Sequence, residues 1–149
     1  MTNKLKNTFG MPIGFLSLLA LLGVPRVIAH YLKWIEPGSL ANMLLAIIPP
    51  IIWIFVVVWK KEESPFKTLL WIGIFYGILL GITHQIFWHR SFEEPPVLGG
   101  NLSNIPPFLN ELITRTFGFF SSVITGSILG VILGLIGSLI NRFRSSPCS

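Results

Sequence analysis

The chain has 149 residues, of which 52% are hydrophobic and 11% are charged, and its mean hydropathy is +0.72. A soluble domain carries about 25% charged residues, and a fold this small has too little interior to hide so much apolar surface. This composition excludes an ordinary soluble domain and predicts an all-α integral membrane protein. The net charge of +5 comes from short basic runs beside apolar segments, which is typical of topology signals and not of a nucleic-acid-binding surface.

Four apolar segments follow one another and predict a bundle of four transmembrane helices in a single membrane domain. Their approximate ranges are 9–32, 40–59, 68–88 and 112–140. Each is long enough to cross a hydrocarbon core of about 30 Å at roughly 1.5 Å per residue. The connection 89–111 is rich in proline and glycine, which predicts irregular structure there.

Lysine and arginine are distributed unevenly about these segments, and this asymmetry predicts the orientation. With the N-terminus inside, the cytoplasmic side holds Lys4, Lys6, Lys60, Lys61, Lys67, Arg142 and Arg144, and the outer side holds Arg26, Lys33, Arg90 and Arg115. We therefore expect both termini in the cytoplasm and a multi-pass protein of the plasma membrane, with the lipid bilayer as its main partner.

The first segment also fits a cleavable signal peptide. A basic stretch precedes an apolar core at 13–24, and the small residues at 27–29 have the form of a cleavage site. Arg26 lies close to that site and apolar character resumes after it, which favours a retained helix. The sequence leaves both interpretations open.

Pro49 and Pro50 lie at the centre of the second segment. Proline has no amide donor and its ring clashes with the preceding turn, so the pair predicts a helix kink. The carbonyls freed by the prolines need partners from protein or water, because lipid offers none. The alternative is a broken helix with a midplane site of the kind that transporters use, although no ionisable residue adjoins the prolines on this segment.

Glycines recur at every fourth position in the last two segments. They form two stripes, Gly73, Gly77 and Gly81 in the third segment and Gly126, Gly130 and Gly134 in the fourth. Glycines at this spacing give a helix one smooth face that another helix can approach closely. We expect the stripes to pack helices together within the chain, or to join it to a second copy or to another membrane protein.

Polar side chains collect in the predicted outer half of the bundle. The candidate polar site consists of Arg26, His30, His84, Gln85, Glu111 and Arg115. Charge inside a membrane is expensive and usually faces protein or a wet cavity. The other interpretation is interfacial snorkelling with structural ion pairs, in which Arg26 or Arg115 pairs with Glu111 or Glu36.

The sequence contains no complete catalytic or metal-binding motif, and no cofactor is predicted. Its single cysteine, Cys148, excludes an intrachain disulfide and a CxxC arrangement. We expect a small membrane protein without catalytic chemistry that moves or senses a solute or assembles with a membrane partner. The alternative is a membrane redox or enzyme subunit whose site near the outer face uses His30, His84 and Arg115.

Overall fold

The computed structural model describes residues 10–91 and 96–145, and within these ranges every regular element is a helix. The helices are α1 (Ile13–Leu21), α2 (Val24–Tyr31), α3 (Leu40–Trp59), α4 (Pro65–Ile86), α5 (Trp88–Ser91) and α6 (Pro107–Ser145). A 3-10 turn, Gly100–Leu102, lies between α5 and α6.

Four helical stretches in the described ranges are long and apolar enough to cross a membrane. They are Ile13–Tyr31, which combines α1 and α2, followed by Leu40–Trp59, Pro65–Ile86 and Pro107–Arg144. The sequence prediction of an all-helical chain with four candidate spans is confirmed. One end of the bundle holds the turn between α3 and α4, and the opposite end, here called the α2–α3 end, holds the turn between α2 and α3.

The helix boundaries differ from the predicted ones where proline stands at a helix start. α4 begins at Pro65 and α6 begins at Pro107, three and five residues before the predicted starts at 68 and 112. Proline is well tolerated in the first turn, because the amide it lacks would have no helical partner there. α6 consequently has 39 residues, or roughly 58 Å of helix, which exceeds a hydrocarbon core of about 30 Å.

α4 and α6 form the most extensive helix pair of the structure. A Cβ added at Gly77 would lie 2.9 Å from the carbonyl oxygen of Ser122, and one added at Gly130 would lie 2.9 Å from that of Leu70. Gly73 and Gly126 contact each other's backbone in the same crossing. Because the obstacles are backbone atoms, only residues without a Cβ allow the two helices to come this close.

The remaining two glycines of the predicted stripes extend the same interface. Gly81 faces the ring of Phe119 on α6, and Gly134 faces Phe66 at the start of α4. All six stripe glycines are buried. The stripes therefore meet each other within one chain, which leaves little of either stripe exposed to a partner molecule.

The first span is interrupted at Leu22 and Gly23, where α1 ends and α2 begins. The carbonyl of Leu19 accepts a bond of 3.1 Å from the Leu22 amide and one of 2.7 Å from Nε1 of Trp53. Trp53 is 1% exposed, so a buried indole from α3 adds a second donor to a backbone carbonyl at the interruption.

The structure of the second span contradicts one of the two interpretations of its prolines. α3 runs as a helix through Pro49 and Pro50, so the broken helix considered for this segment is wrong, and the break lies in the first span instead. The predicted kink at the prolines stays a prediction. The break lies next to Pro25, which has no amide to continue the helical hydrogen bonds. The Tyr76 ring packs on Gly23 at the break, where an added Cβ would lie 2.5 Å from Cε2 of that ring.

Buried apolar side chains from α1, α3, α4 and α6 form a core toward the α3–α4 turn. The core contains Met11, Leu16, Leu19, Trp53, Val57, Leu69, Ile72 and Leu133. α3 contributes less to this core than α4 does, since 17% of its apolar window is buried within the chain against 44% for α4. Most of the α3 surface therefore faces away from the other helices.

Candidate functional site

Arg26 lies within the first span, five residues before its end at Tyr31, which corresponds to about 8 Å of helix. Its Nε donates to Oδ1 of Asn42, on the first turn of α3, at 2.9 Å. No carboxylate among the described residues pairs with Arg26. The ion pairs proposed from the sequence are therefore wrong for Arg26, since Glu111 pairs with Arg115 and Glu36 is exposed.

A cavity of about 180 Å³ adjoins this arginine, between α2, α3 and α4. Its wall includes Gly23 and Arg26 from the first span, Trp53 and the two prolines from α3, and Tyr76 from α4. The rings of Trp53 and Tyr76 lie with their centroids 5.5 Å apart. Because a dry cavity of about 150 Å³ can hold benzene, this space, which we call the Arg26 cavity, is large enough for a small organic solute.

The prolines give the Arg26 cavity a polar feature besides the guanidinium. In a regular helix the amides at positions 49 and 50 would donate to the carbonyls of Leu45 and Ala46. Pro49 and Pro50 have no such donors, and both Leu45 and Ala46 line the cavity. Two residues whose carbonyl oxygens lack their usual helical donors thus line a space that also holds a cation.

The sequence analysis did not predict that Arg26 lies near the prolines, because no ionisable residue is close to Pro49 and Pro50 along the chain. The arginine comes from a different span, and only the packing of α2 against α3 brings the two features together. The sequence signal that could have found it is Asn42, a polar residue on the first turn of α3. An amide within an apolar segment indicates a polar partner on a neighbouring helix.

His84 belongs to a second group. Its Nδ1 is hydrogen-bonded to the hydroxyl of Tyr31, and the Tyr31 ring stacks on Phe87 with centroids 5.5 Å apart. This group ties the end of α2 to the end of α4. His30 precedes Tyr31 in the chain but is exposed, so His84 is paired with tyrosine and not with the other histidine of the predicted site.

Arg115 organises a third group, where α6 begins and α4 ends. Its Nη2 lies 2.9 Å from a carboxylate oxygen of Glu111 and 3.1 Å from Nε2 of His89. Arginine can only donate, so Nε2 of His89 accepts and its ring proton is on Nδ1. Trp88 lies under the guanidinium, 5.4 Å from Cζ, and Gln85 donates to the Arg115 carbonyl at 3.0 Å.

The Arg115 group unites three predicted residues, Gln85, Glu111 and Arg115, with two that the sequence analysis missed, Trp88 and His89. Its arginine is neutralised by a carboxylate one turn earlier, which is the ordinary (i, i+4) pairing of a helix. The buried Nε of Arg115 has no partner among the described residues. We interpret this group as an anchor between α4 and α6, because its charges already satisfy each other.

The six residues of the predicted polar site are therefore divided among three places. His30 and His84 both pack against the Tyr31 ring, and Arg115 belongs to a different group. Among the residues that the structure describes, no group of three histidine, cysteine or acidic side chains could hold a metal ion. No family model, curated protein or solved structure matches this chain. The Arg26 cavity is consequently identified by its own geometry as the candidate site.

Proposed function

We propose that this chain is a multi-pass protein of the plasma membrane, with both termini in the cytoplasm, that binds a small solute in the Arg26 cavity. Binding there serves transport or sensing of the solute and involves no catalysis. One observation carries the proposal: a guanidinium within an apolar span adjoins a cavity and has no carboxylate partner among the described residues. Charge at the centre of a span costs about 3 kcal/mol on insertion scales. Arg26, about 8 Å of helix from the end of its span, bears part of that cost, so its retention indicates a role.

The surroundings of Arg26 also suit a solute site in a membrane. Transporters place such sites beside interrupted helices near the bilayer midplane, and the break at Gly23 adjoins this cavity. The basic-residue asymmetry, with seven positive charges on one side against four, supports an Arg26 cavity that opens toward the exterior.

Cysteine accessibility at the cavity wall tests the solute site. We would introduce Ala46→Cys, on the cavity wall, or Ile47→Cys, whose side chain is 46% exposed on the outside of the bundle, each in a Cys148→Ser background. The neighbouring residues lie at nearly the same depth, so depth cannot explain a difference between them. A membrane-impermeant maleimide added outside intact cells should label Ala46→Cys at least about ten times faster, because a thiol needs water to ionise and react.

Equal, slow labelling of the two cysteines would contradict a water-accessible cavity. Rapid labelling of both cysteines would show that positions 46 and 47 lie outside the hydrocarbon layer. Protection of Ala46→Cys, but not of a loop cysteine such as Ser103→Cys, by a candidate solute would then identify a ligand.

The orientation has its own test. Ser64, in the α3–α4 turn, and Ser103, in the connection before α6, are both exposed. Labelling of Ser64→Cys only after permeabilisation, and of Ser103→Cys in intact cells, is the expected result. Finding both on the same side of the membrane would contradict the proposed topology.

A further inference from the structure

We infer that the solute of the Arg26 cavity is a small organic monocarboxylate with an apolar body about the size of benzoate. The inference rests on the proposed function and adds the chemical class of the ligand. It follows from the charge of the cavity wall, from the groups that Arg26 leaves unused, and from the size and character of the remaining surface.

The charge of the wall favours an anion. Among its nine lining residues only Arg26 carries a formal charge, and no aspartate or glutamate is present. A solute with one negative charge would neutralise the guanidinium, which a cation or a neutral solute could not do.

The bonding of Arg26 favours a carboxylate among anions. Nε is engaged by Asn42 at 2.9 Å, and no described residue accepts a hydrogen bond from the two Nη groups. The planar guanidinium presents paired donors that match the two oxygens of a carboxylate. Asn42 fixes one edge of the guanidinium and thereby reduces the entropy lost when the other edge binds a ligand.

The rest of the wall determines the body of the solute. Trp53, Tyr76 and Leu129 present apolar surface, and the volume of about 180 Å³ slightly exceeds that of a cavity known to hold benzene. The carbonyls of Leu45 and Ala46 are acceptors, so a second negative charge would be repelled there. A monocarboxylate with an aromatic or branched aliphatic body fits this arrangement, and a dicarboxylate does not.

Thermal unfolding of the full-length protein, purified in detergent, tests the ligand class with four probes. Benzoate carries the inferred charge, benzamide and benzylamine are neutral and cationic molecules of nearly the same shape, and chloride is an anion without a body. Benzoate near saturation should raise Tm by about 3 °C or more, as expected for a ligand that binds only the folded state. The other three probes, at matched ionic strength, should leave Tm within about 1 °C of its starting value.

Variants assign the effect to the cavity. Arg26→Gln should abolish the benzoate shift, and Arg26→Lys should retain part of it, since lysine keeps the charge and loses the planar fork. Arg144→Gln is the matched control, because Arg144 is an exposed arginine at the far end of α6 that bonds the Val58 carbonyl. If Arg26→Gln does not fold, Ala46→Phe provides a second variant that fills the cavity, leaves Arg26 in place and should remove the benzoate shift.

Each contrary outcome overturns a defined statement. A shift by benzamide or benzylamine equal to that by benzoate overturns the anionic class and leaves the solute cavity standing. An equal shift by chloride contradicts the statement that the ligand needs an apolar organic body. A benzoate shift that survives both Arg26→Gln and Ala46→Phe contradicts binding in the Arg26 cavity. The absence of any shift overturns the inference, whereas the proposed function itself fails only if Ala46→Cys is also inaccessible to the external maleimide.

Discussion

The two faces of α4 meet their neighbours in different ways. Toward α6, the helix presents Gly73 and Gly77, and backbone packs on backbone with no space for a single added carbon. Toward α2 and α3, it presents Tyr76, whose ring lies against Gly23 and Trp53 beside a cavity of about 180 Å³. One helix therefore takes part in both a backbone-to-backbone crossing and a contact that leaves a cavity.

The difference reflects how helices associate in lipid. Since lipid tails are as apolar as leucine, burying leucine between helices gains little, and close packing contributes most of the attraction. The glycine-lined crossing of α4 and α6 can therefore act as the rigid part of the protein. Around the open face, a few specific hydrogen bonds join the helices, such as that from Trp53 to Leu19 and that from Arg26 to Asn42.

Substitution at the crossing should have the largest effect. Gly77→Leu would drive a side chain into the backbone of Ser122 and Val123, and α6 could relieve the clash only by moving as a whole. We expect a loss of about 3 kcal/mol or more in unfolding free energy, at or beyond the upper end of ordinary overpacking. Denaturant titration in mixed micelles, followed by circular dichroism, would measure the loss.

The control for that substitution is Gly14→Leu. Gly14 is also helical, but a Cβ there would meet no atom within 4 Å, so the change should be neutral or slightly stabilising because leucine is the better helix former. Similar losses at Gly77 and Gly14 would mean that the glycine spacing reflects composition and not packing.

Removing the indole donor of the open face should have the next largest effect. Trp53→Phe removes the 2.7 Å bond to the Leu19 carbonyl, which keeps its bond from the Leu22 amide, and should cost about 1.5 kcal/mol for one lost hydrogen bond together with some lost packing. Trp59→Phe is the comparison, since Trp59 is 70% exposed at the end of α3. An equally small loss in both variants would show that the break in the first span needs no support from α3.

The two faces should also differ in whether a clash can be rescued. Gly23→Ala meets a side chain, the Tyr76 ring, at 2.5 Å, and should cost about 1 kcal/mol because the ring can turn aside. In a Tyr76→Leu background that cost should vanish. Gly73→Ala meets backbone, so its cost should persist in either background. A double-mutant cycle that finds Gly23 and Tyr76 additive would contradict their contact.

The smallest effect is expected at Arg115. If this residue is only an anchor, Arg115→Lys should change the unfolding free energy by less than about 1 kcal/mol, because a lysine can also snorkel and pair with Glu111. Arg115→Gln should cost more, since it leaves the carboxylate of Glu111 without a cation. Loss of function in Arg115→Lys at normal abundance would show instead that the planar guanidinium binds a ligand there.

The sequence predicted the features that depend on local pattern. Hydropathy located the four candidate spans, and the fourfold glycine spacing indicated smooth helix faces. The start of α6 was misplaced because Pro106 and Pro107 suggested a loop, although proline at the first helical position is compatible with a helix. Local pattern alone did not distinguish a proline that precedes a helix from one that begins it.

The features that depend on tertiary contacts could not be predicted in the same way. At the break in the first span, Tyr76 packs on Gly23 and Trp53 bonds the Leu19 carbonyl, and both side chains come from other helices. The candidate site joins Arg26 to Pro49 and Pro50 across more than 20 positions of sequence. Nothing in either segment indicates that it contacts the other. The predicted polar site therefore grouped residues by their expected depth in the membrane alone and combined three separate groups into one.

The central claim is that water or a solute reaches the open face of α4 and not its glycine face. Water-edited solid-state NMR of the unmodified protein in lipid bilayers tests this directly, by transferring polarisation from water to nearby residues. The account predicts that Ala46, on the cavity wall, gains signal early, and that Gly77 and Gly126, in the crossing, gain it late. A build-up for Ala46 as slow as that for Gly77 would contradict a hydrated Arg26 cavity and with it the proposed function.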